Sequence, residues 1–530
     1  MKKLQKKTVD RGNESFQNAL NSKIYVDKTG LLKYTNEVIG TEQNRICVSR
    51  PRRFGKSMAA DMISAYYDKS CDSKELFDGY RISKEAGYER HLNQYRVIHL
   101  DITMFTTQEK NLSVAESINE QITGELQNIY PDVLDEQDRN LPYALAKIND
   151  QTGDRFVVII DEWDAIFRES RYNTRAQKEY VDLLRGLFKS DLSKRFIVLA
   201  YLTGILPIKK YNSESALNNF DEFTMTSPAM LAEYVGFTEE EVKGLCKEYG
   251  MDFEEARRWY DGYAFPRISH VYSPNSVIKA MLRGEFSNYW TSTVAYESLK
   301  GYISMNYDGL KDAIVRILAG DRCRVNINTY ENDMTSFKSK DDVLTMLIHL
   351  GYLAYDSRKR EVYIPNEEVR EAFVQAGENS GWTTVAEAIE KSEALLRATW
   401  DKDEARVAAG IDEVHEANTS IFAYNDENAL SCVITLAYYH AVNDYTLIRE
   451  MPTGKGYADI VFLPRKYSDK PAMIVELKYN RSAEGAIRQI KEKRYGDVFR
   501  GYAGKVLLIG INYDKETKKH SCMIEEWEKE

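Results

Sequence analysis

Ile46-Cys47-Val48-Ser49-Arg50-Pro51-Arg52-Arg53-Phe54-Gly55-Lys56-Ser57 is the stretch on which the reading of this chain turns. An apolar, β-prone run leads into a turn containing Pro51 and Gly55. It ends in Gly-Lys-Ser, and a helix-compatible segment follows from Met58 to Tyr67. Strand, turn, Lys-Ser and helix, in that order, form a cradle for nucleotide phosphates. Backbone amides and the helix N-terminus would hold the phosphates, Lys56 would reach the β- and γ-oxygens, and the Ser57 hydroxyl would ligate Mg²⁺. The strict motif asks for glycine at position 50, where this chain has Arg50. Taken alone, the segment also fits a basic surface turn.

Working outward, Phe156-Val157-Val158-Ile159-Ile160-Asp161-Glu162 is an apolar, mostly β-branched run of the kind buried on both faces of a parallel sheet. Its two acids fall at the C-terminal end, where open α/β sheets bind ligands. Asp161 would hold Mg²⁺ directly or through its water shell, and Glu162 would polarise the attacking water. Tyr95–Asp101 reads as another strand, with a long helix after it around Val114–Leu126. Phe196–Leu202 reads as a third buried strand and ends at Thr203-Gly204, where Thr203 could sense the γ-phosphate or simply close the strand. Arg52, Arg53, Arg168 and Arg185 are the candidates to stabilise transition-state charge.

Length and composition set the outer bounds. At 530 residues the chain exceeds one ordinary core, and 43% hydrophobic with 29% charged residues is the make-up of a globular protein. No apolar run approaches the ~20 residues of a membrane span. The Lys-rich N-terminus lacks a signal-peptide core, so a cytoplasmic location is expected. Six dispersed cysteines without a CxxC pair indicate neither a zinc site nor a disulfide framework. The net charge of −10 argues against nucleic-acid binding by the whole surface, although it can hide a local basic patch.

Residues 228–380 have mostly helical patterning. Thr238 and Glu241 form a capping box, and Asp341–Leu350, Gly351–Tyr355, Glu361–Ile364 and Asn366–Phe373 read as helix, strand, strand and helix, a winged-helix-like order. Helical patterning resumes from Thr383 to about Ala409 and from Ile411 to Ala417, beyond a boundary signal at Asn379-Ser380-Gly381.

A second chemical centre lies further on. Asp426 opens a helix carrying Glu427 and running to about His440. Gly456–Leu463 and Ala472–Lys478 read as the strands of a hairpin, and a helix from Ala483 carries Gln489. Asp459 with Glu476-Leu477-Lys478 suits a metal-dependent phosphodiesterase. The carboxylates and the Leu477 carbonyl would coordinate Mg²⁺ or Mn²⁺, while Lys478, on the same strand face as Glu476, would position water or neutralise charge. An exposed, salt-bridged hairpin is the plainer alternative. Residues 452–505 hold 12 Lys/Arg against 6 Asp/Glu. Arg481, Arg488, Lys491, Lys493 and Arg494 could follow a phosphate backbone or merely solvate a helix face.

The strings Val26-Asp27-Lys28-Thr29, Arg50-Pro51-Arg52-Arg53-Phe54-Gly55-Lys56-Ser57, Ile160-Asp161-Glu162-Trp163-Asp164 and Leu202-Thr203-Gly204-Ile205 resemble the AAA-ATPase-like proteins of bacteria. So do Trp259–Tyr263, Val271–Val277 and Phe286–Trp290. The resemblance implies that Arg50 is a family variant of the loop. Arg50, Arg53, Gly55, Lys56, Ser57, Asp161 and Thr203 are the expected nucleotide-site residues, with Arg50 either touching phosphate or only packing the turn. The C-terminal segment resembles the PD-(D/E)XK nuclease superfamily. It implies Asp459 as the motif aspartate, Glu476 as its D/E, Lys478 as its lysine, Glu427 as the added helix acid and Gln489 as the downstream glutamine. Ala458 stands where the motif name has proline.

The expected architecture is α/β: a P-loop NTPase-like parallel sheet over 1–227, a helical, winged-helix-like part over 228–380, and connector helices with a restriction-endonuclease-like domain over 381–530. The expected activity is ATP binding and hydrolysis with metal-dependent cleavage of nucleic acid, DNA foremost, and no membrane partner. Homo-oligomerisation is left open. The competing expectation is a nucleotide-switched binding or regulatory protein whose nuclease fold does not cut.

Overall fold

A computed structural model of the chain describes residues 7–106, 112–170, 172–208, 210–211, 214–215, 217–290, 299–305, 307–331, 337–378, 383–417, 427–453, 456–465, 468–499, 502 and 504–527. The chain forms two compact units. One comprises Met1–Thr291 with Arg324–Val369, and the other Ser292–Cys323 with Arg370–Glu530.

The first unit is built on β1 (Arg45–Ser49), β2 (Arg96–Asp101), β3 (Phe156–Asp161), β4 (Ile197–Gly204) and β5 (Asp221–Phe223). Their order across the sheet is β2-β3-β4-β1-β5, and every pairing is parallel. Residues of β1, β3 and β4 are buried throughout, which explains their unbroken apolar patterning. Helices α1 (Leu31–Val38), α2 (Lys56–Tyr67), α3 (Val114–Ile129) and α4 (Ala165–Glu169) belong to the same unit, and α2 packs on β3 and β4. All five strands run in one direction, so the loops following β1, β3 and β4 emerge at one edge. There β4 separates the phosphate-loop strand from the strand bearing Asp161, an adjacency that chain order does not reveal.

Beyond the sheet come β6 (Phe237–Thr238), β7 (Tyr263–Phe265) and β8 (Ile268–Tyr272), an antiparallel trio in the order β6-β8-β7. Helix α5 (Glu239–Tyr249) starts at Thr238, and both hydrogen bonds of the expected capping box with Glu241 form. Helix α6 (Pro274–Arg283) follows. Then come α7 (Lys340–Leu350), the hairpin β9 (Ala354–Asp356) and β10 (Glu361–Tyr363), and α8 (Glu367–Glu378), in the expected order of helix, strand, strand and helix, although the hairpin belongs to a three-stranded sheet where two strands were expected. The first wing strand starts later than Gly351, because Gly351 closes α7 at φ +86 and the chain extends only from Ala354.

In the second unit, α9 (Thr383–Trp400) and α10 (Glu404–Ala417) replace the expected continuous helix from Thr383 to Ala409. Lys402 takes a left-handed backbone, φ +59, and the Asp403 carboxylate accepts the Arg406 amide at 3.1 Å, so one helix stops and another is capped. Helix α11 (Glu427–Ala437) precedes a five-stranded mixed sheet. Its strands β11 (Tyr445–Thr453), β12 (Gly456–Pro464), β13 (Ala472–Tyr479), β14 (Val506–Asp514) and β15 (Lys519–Glu526) lie side by side in that order. Only β13 and β14 pair in parallel, and the connection between them carries α12 (Ala483–Glu492), which packs on both. The Asn379-Ser380-Gly381 boundary signal lies outside the described residues. Among the described residues no helix is long and apolar enough to cross a membrane.

Candidate functional sites

The phosphate loop leaves β1 at Ser49 and enters α2 through Gly55, whose φ of +89 is one that residues with a Cβ rarely adopt. No side chain caps the N-terminus of α2, so its first amides are left for an anion. Lys56 is buried. Its Nζ donates to the Pro51 carbonyl at 3.0 Å and lies 3.8 Å from Glu162 Oε1. Burial lowers the Lys56 pKa, with Glu162 acting in the opposite direction. Burial raises Asp161 to about 6, against a hydrogen bond from Ser57 that favours its charged form. Ser57, Asp161 and Glu162 are thus together at the strand ends, as the sequence motifs require. Ser57 and Glu162 face a cleft of about 530 Å³ whose lining also includes Arg52, Arg53, Lys56 and Arg168, while Asp161 is buried and is not part of that lining.

Arg50 and Thr203 do not line this cleft. Arg50 is fully buried. It donates to the Ser49 and Phe223 carbonyls, each at 2.9 Å, and lies over the Phe265 ring. Burial brings its pKa down to about 10. Thr203 lies on β4 opposite Val48 of β1, and its buried hydroxyl has no hydrogen-bond partner. Arg53 does line the cleft, but its NH1 donates to the carbonyls of Tyr289 at 2.7 Å and Trp290 at 2.9 Å.

The sequence reading missed the support of the acids. Asp164 is fully buried, and its Oδ2 accepts the amides of Ile205 at 3.2 Å and Leu206 at 2.9 Å, with Arg168 Nε at 3.1 Å. Arg168 in turn donates to Glu162. The i, i+4 spacing of Asp164, the N-cap of α4, and Arg168 is the signal for this pair in the sequence. Glu162 has φ +50 and Arg53 φ +67, so two non-glycine residues facing the cleft hold strained backbones. An apolar pocket shares Gly55, Met58, Pro274 and Ile278 with the cleft and is walled by Tyr25, Val26 and Phe237.

The second site sits on the β12–β13 hairpin, paired antiparallel from Ile460↔Val475 to Phe462↔Met473. Asp459 Oδ2 accepts the Leu477 amide at 2.7 Å, which ties the two strands at the acidic end. Alternation puts Glu476 and Lys478 on one face, and both are buried there. Lys478 Nζ donates to Glu476 Oε1 at 2.8 Å and to the Leu477 carbonyl at 3.0 Å. Gln489, presented by α12, also donates to Glu476 Oε1. Glu476 Oε2 is buried and accepts no hydrogen bond. Burial first, then the neighbouring Asp459, raises the Glu476 pKa to about 7. A buried carboxylate oxygen aimed at no donor beside a second carboxylate is a donor set that fits a hard divalent cation. Among the described residues no three His, Cys, Asp or Glu side chains group as a metal site. Glu427 opens α11, but its side chain lies outside the described residues.

Arg481, Arg488, Lys491, Lys493 and Arg494 are all exposed. Lys491 is ion-paired with Glu525, so it contributes less free charge than the sequence count implies.

Residues 11–212 match the family model described as a predicted AAA-ATPase, and residues 425–527 match the PD-(D/E)XK nuclease superfamily model. The chain carries an AAA-ATPase-like domain and a C-terminal domain of the PD-(D/E)XK superfamily. Over 515 residues it is 23% identical to an "Uncharacterized protein in vnfD 5'region" of Azotobacter chroococcum mcd 1, covering 93% of each chain. Among solved structures it is similar to the Aeropyrum pernix ORC2 protein in ADPNP-ADP complexes. The identity there is 11%, with 69% of this chain and 98% of that chain covered at a TM-score of 0.33. It is also similar to the replication initiator DnaA bound to AMPPCP and single-stranded DNA, at 13% identity, 71% and 93% coverage and a TM-score of 0.27.

Proposed function

We propose that the chain binds and hydrolyses ATP at the cleft over Lys56 and Ser57 and cleaves nucleic acid, DNA in the first instance, at Asp459, Glu476 and Lys478. The observation that carries the nuclease half is the buried, partnerless Glu476 Oε2 beside Asp459, with Lys478 and Gln489 fixing the other oxygen. A divalent cation, Mg²⁺ or Mn²⁺, held by Asp459, Glu476 and the Leu477 carbonyl would supply Lewis-acid activation of water and neutralise phosphate charge. Lys478 places a positive charge at that point, and Gln489 orients the carboxylate. The exposed Arg481, Arg488, Lys493 and Arg494 offer contacts to a phosphate backbone.

At the first site, Lys56 and the free N-terminus of α2 would take the β- and γ-phosphates, and Ser57 with Asp161 would hold Mg²⁺. Glu162, oriented by Arg168, would accept the proton of the attacking water. The domain division at 227 and 380 belongs to this proposal.

The test is a plasmid and oligonucleotide assay with Mg²⁺ or Mn²⁺, with and without ATP, on wild type, Lys56→Ala and Glu476→Ala. Metal-dependent cleavage that vanishes in Glu476→Ala, with phosphate release that vanishes in Lys56→Ala, is expected. An absence of cleavage by wild type on DNA and RNA alike overturns the nuclease half.

A further inference from the structure

In the loop that takes the place of a glycine-rich turn, four consecutive or near-consecutive side chains are engaged away from the nucleotide. Arg50 is held by the Phe223 carbonyl and Phe265. Pro51 lies against Gly351, where an added Cβ would come within 2.7 Å of the proline ring and 2.8 Å of Trp290. Phe54 packs edge-on to Tyr263 and Trp290, with ring centroids 5.3 and 6.0 Å away. Arg53 donates to the Tyr289 and Trp290 carbonyls.

The same two residues are held through their amides as well. Glu368 Oε1 accepts the amides of Tyr289 at 2.6 Å and Trp290 at 2.5 Å, together with the Ser276 hydroxyl at 3.0 Å. The Glu368 carbonyl accepts Asn288 Nδ2 at 3.0 Å. Glu368 is fully buried, and its Oε2 has no hydrogen-bond partner. Carbonyls to Arg53 and amides to Glu368 make the 289–290 backbone the middle of one charge-assisted chain.

The position of this chain of contacts in the sequence gives it meaning. After Trp290 and Thr291 the polypeptide leaves the first unit, and after Val369, one residue beyond Glu368, it leaves again inside α8. Both departures are therefore tied to each other and to the phosphate loop by the same few hydrogen bonds.

We propose that Arg53, the Tyr289–Trp290 backbone and Glu368 form a coupling clasp that reports nucleotide at the phosphate loop to α8, the helix that enters the nuclease-bearing unit. The inference rests on the ATP reading of the cleft. Arg53 lines that cleft, so phosphate charge competes with two carbonyls for its guanidinium. A ligand shifts an equilibrium only through different contacts in the two states, and this competition is that difference. When Arg53 turns to phosphate, the 289–290 carbonyls lose their donor and the grip on Glu368 changes. Glu368 is a positioning residue and touches no nucleotide.

The experiment is hydrogen–deuterium exchange on the full-length chain with and without Mg²⁺ and a non-hydrolysable ATP analogue, alongside direct analogue binding. In wild type the analogue changes exchange at 50–57, 286–290 and 367–378. Glu368→Ala binds the analogue and responds at 50–57, but its response at 367–378 is lost. Glu368→Gln, which keeps an acceptor oxygen without the charge, gives a reduced response and tests the clasp should the alanine variant fail to fold. Bound analogue with no change at 367–378 in wild type, or a full response in Glu368→Gln and any folded Glu368→Ala, overturns the clasp and leaves the ATP reading standing. No analogue binding by wild type overturns both.

Discussion

Glu476 and Asp161 are raised to about 7 and about 6, chiefly by burial, each beside a second acid. Such groups are costly to keep charged without a cation or donors nearby, and in both places a Lys or Ser supplies only part of the compensation. The partner on which Glu476 depends from outside its own strand is Gln489, which donates to Oε1 while Oε2 is left toward the proposed metal. Gln489→Ala should therefore lower metal-dependent cleavage about 10–100-fold through looser metal binding, while Glu476→Ala abolishes it. Titrating Mn²⁺ in the cleavage assay checks this, because excess metal restores the Gln489 variant and not the Glu476 variant.

Among the elements, α12 decides whether the second site is assembled, since it brings Gln489 across β13 and β14. Its close approach depends on Gly510 in β14, where an added Cβ would stand 2.3 Å from the Ala483 carbonyl oxygen and 3.0 Å from Ala486 Cβ. Backbone cannot yield as a flexible side chain can, so Gly510→Ala forces helix and strand apart. A loss of about 1–3 kcal/mol is expected, measured by denaturant unfolding of the full chain, with a parallel fall in cleavage. In the AAA-ATPase-like domain, the phosphate loop keeps its shape through buried partners, Arg50 with Phe223 and Phe265 and Arg53 with Tyr289 and Trp290. A loop braced from outside has less need of glycine at position 50, which accounts for the departure from the strict motif.

For the whole molecule, the buried Glu368 links pH to stability. Burial raises its pKa from 4.5 to about 7, against the lowering effects of Ser276, the Tyr289 and Trp290 amides and Arg53. Between those values the folded chain holds a proton that the unfolded chain has released. The stabilisation is complete below 4.5 and is lost as pH rises through about 7. Glu368→Gln removes this dependence. The Tm of the variant relative to wild type should therefore rise between pH 5 and pH 8, as thermal melts at several pH values would read. A difference independent of pH would remove Glu368 from the account.

The sequence by itself determined the local chemistry. Buried parallel strands announce themselves by unbroken apolar runs, the loop by Gly-Lys-Ser, the hairpin by its two runs flanking a polar turn, and the Thr238 cap by its acid three residues on. It singled out Lys56, Ser57, Asp161 and Glu162, which the fold gathers at the phosphate loop, and Asp459, Glu476, Lys478 and Gln489, which it gathers on the β12–β13 hairpin and α12. Patterns of period two and 3.6, and contacts a few residues apart, are written in the order of the chain. Tertiary structure decided what depends on distant partners. Arg50 turns inward because Phe223 and Phe265 receive it. Arg168 meets Glu162 because Asp164 is anchored by the exit of β4. Glu368 finds Tyr289 and Trp290 across 78 or more residues of intervening chain. Burial and strand order set these meetings, and neither is a property of any short segment.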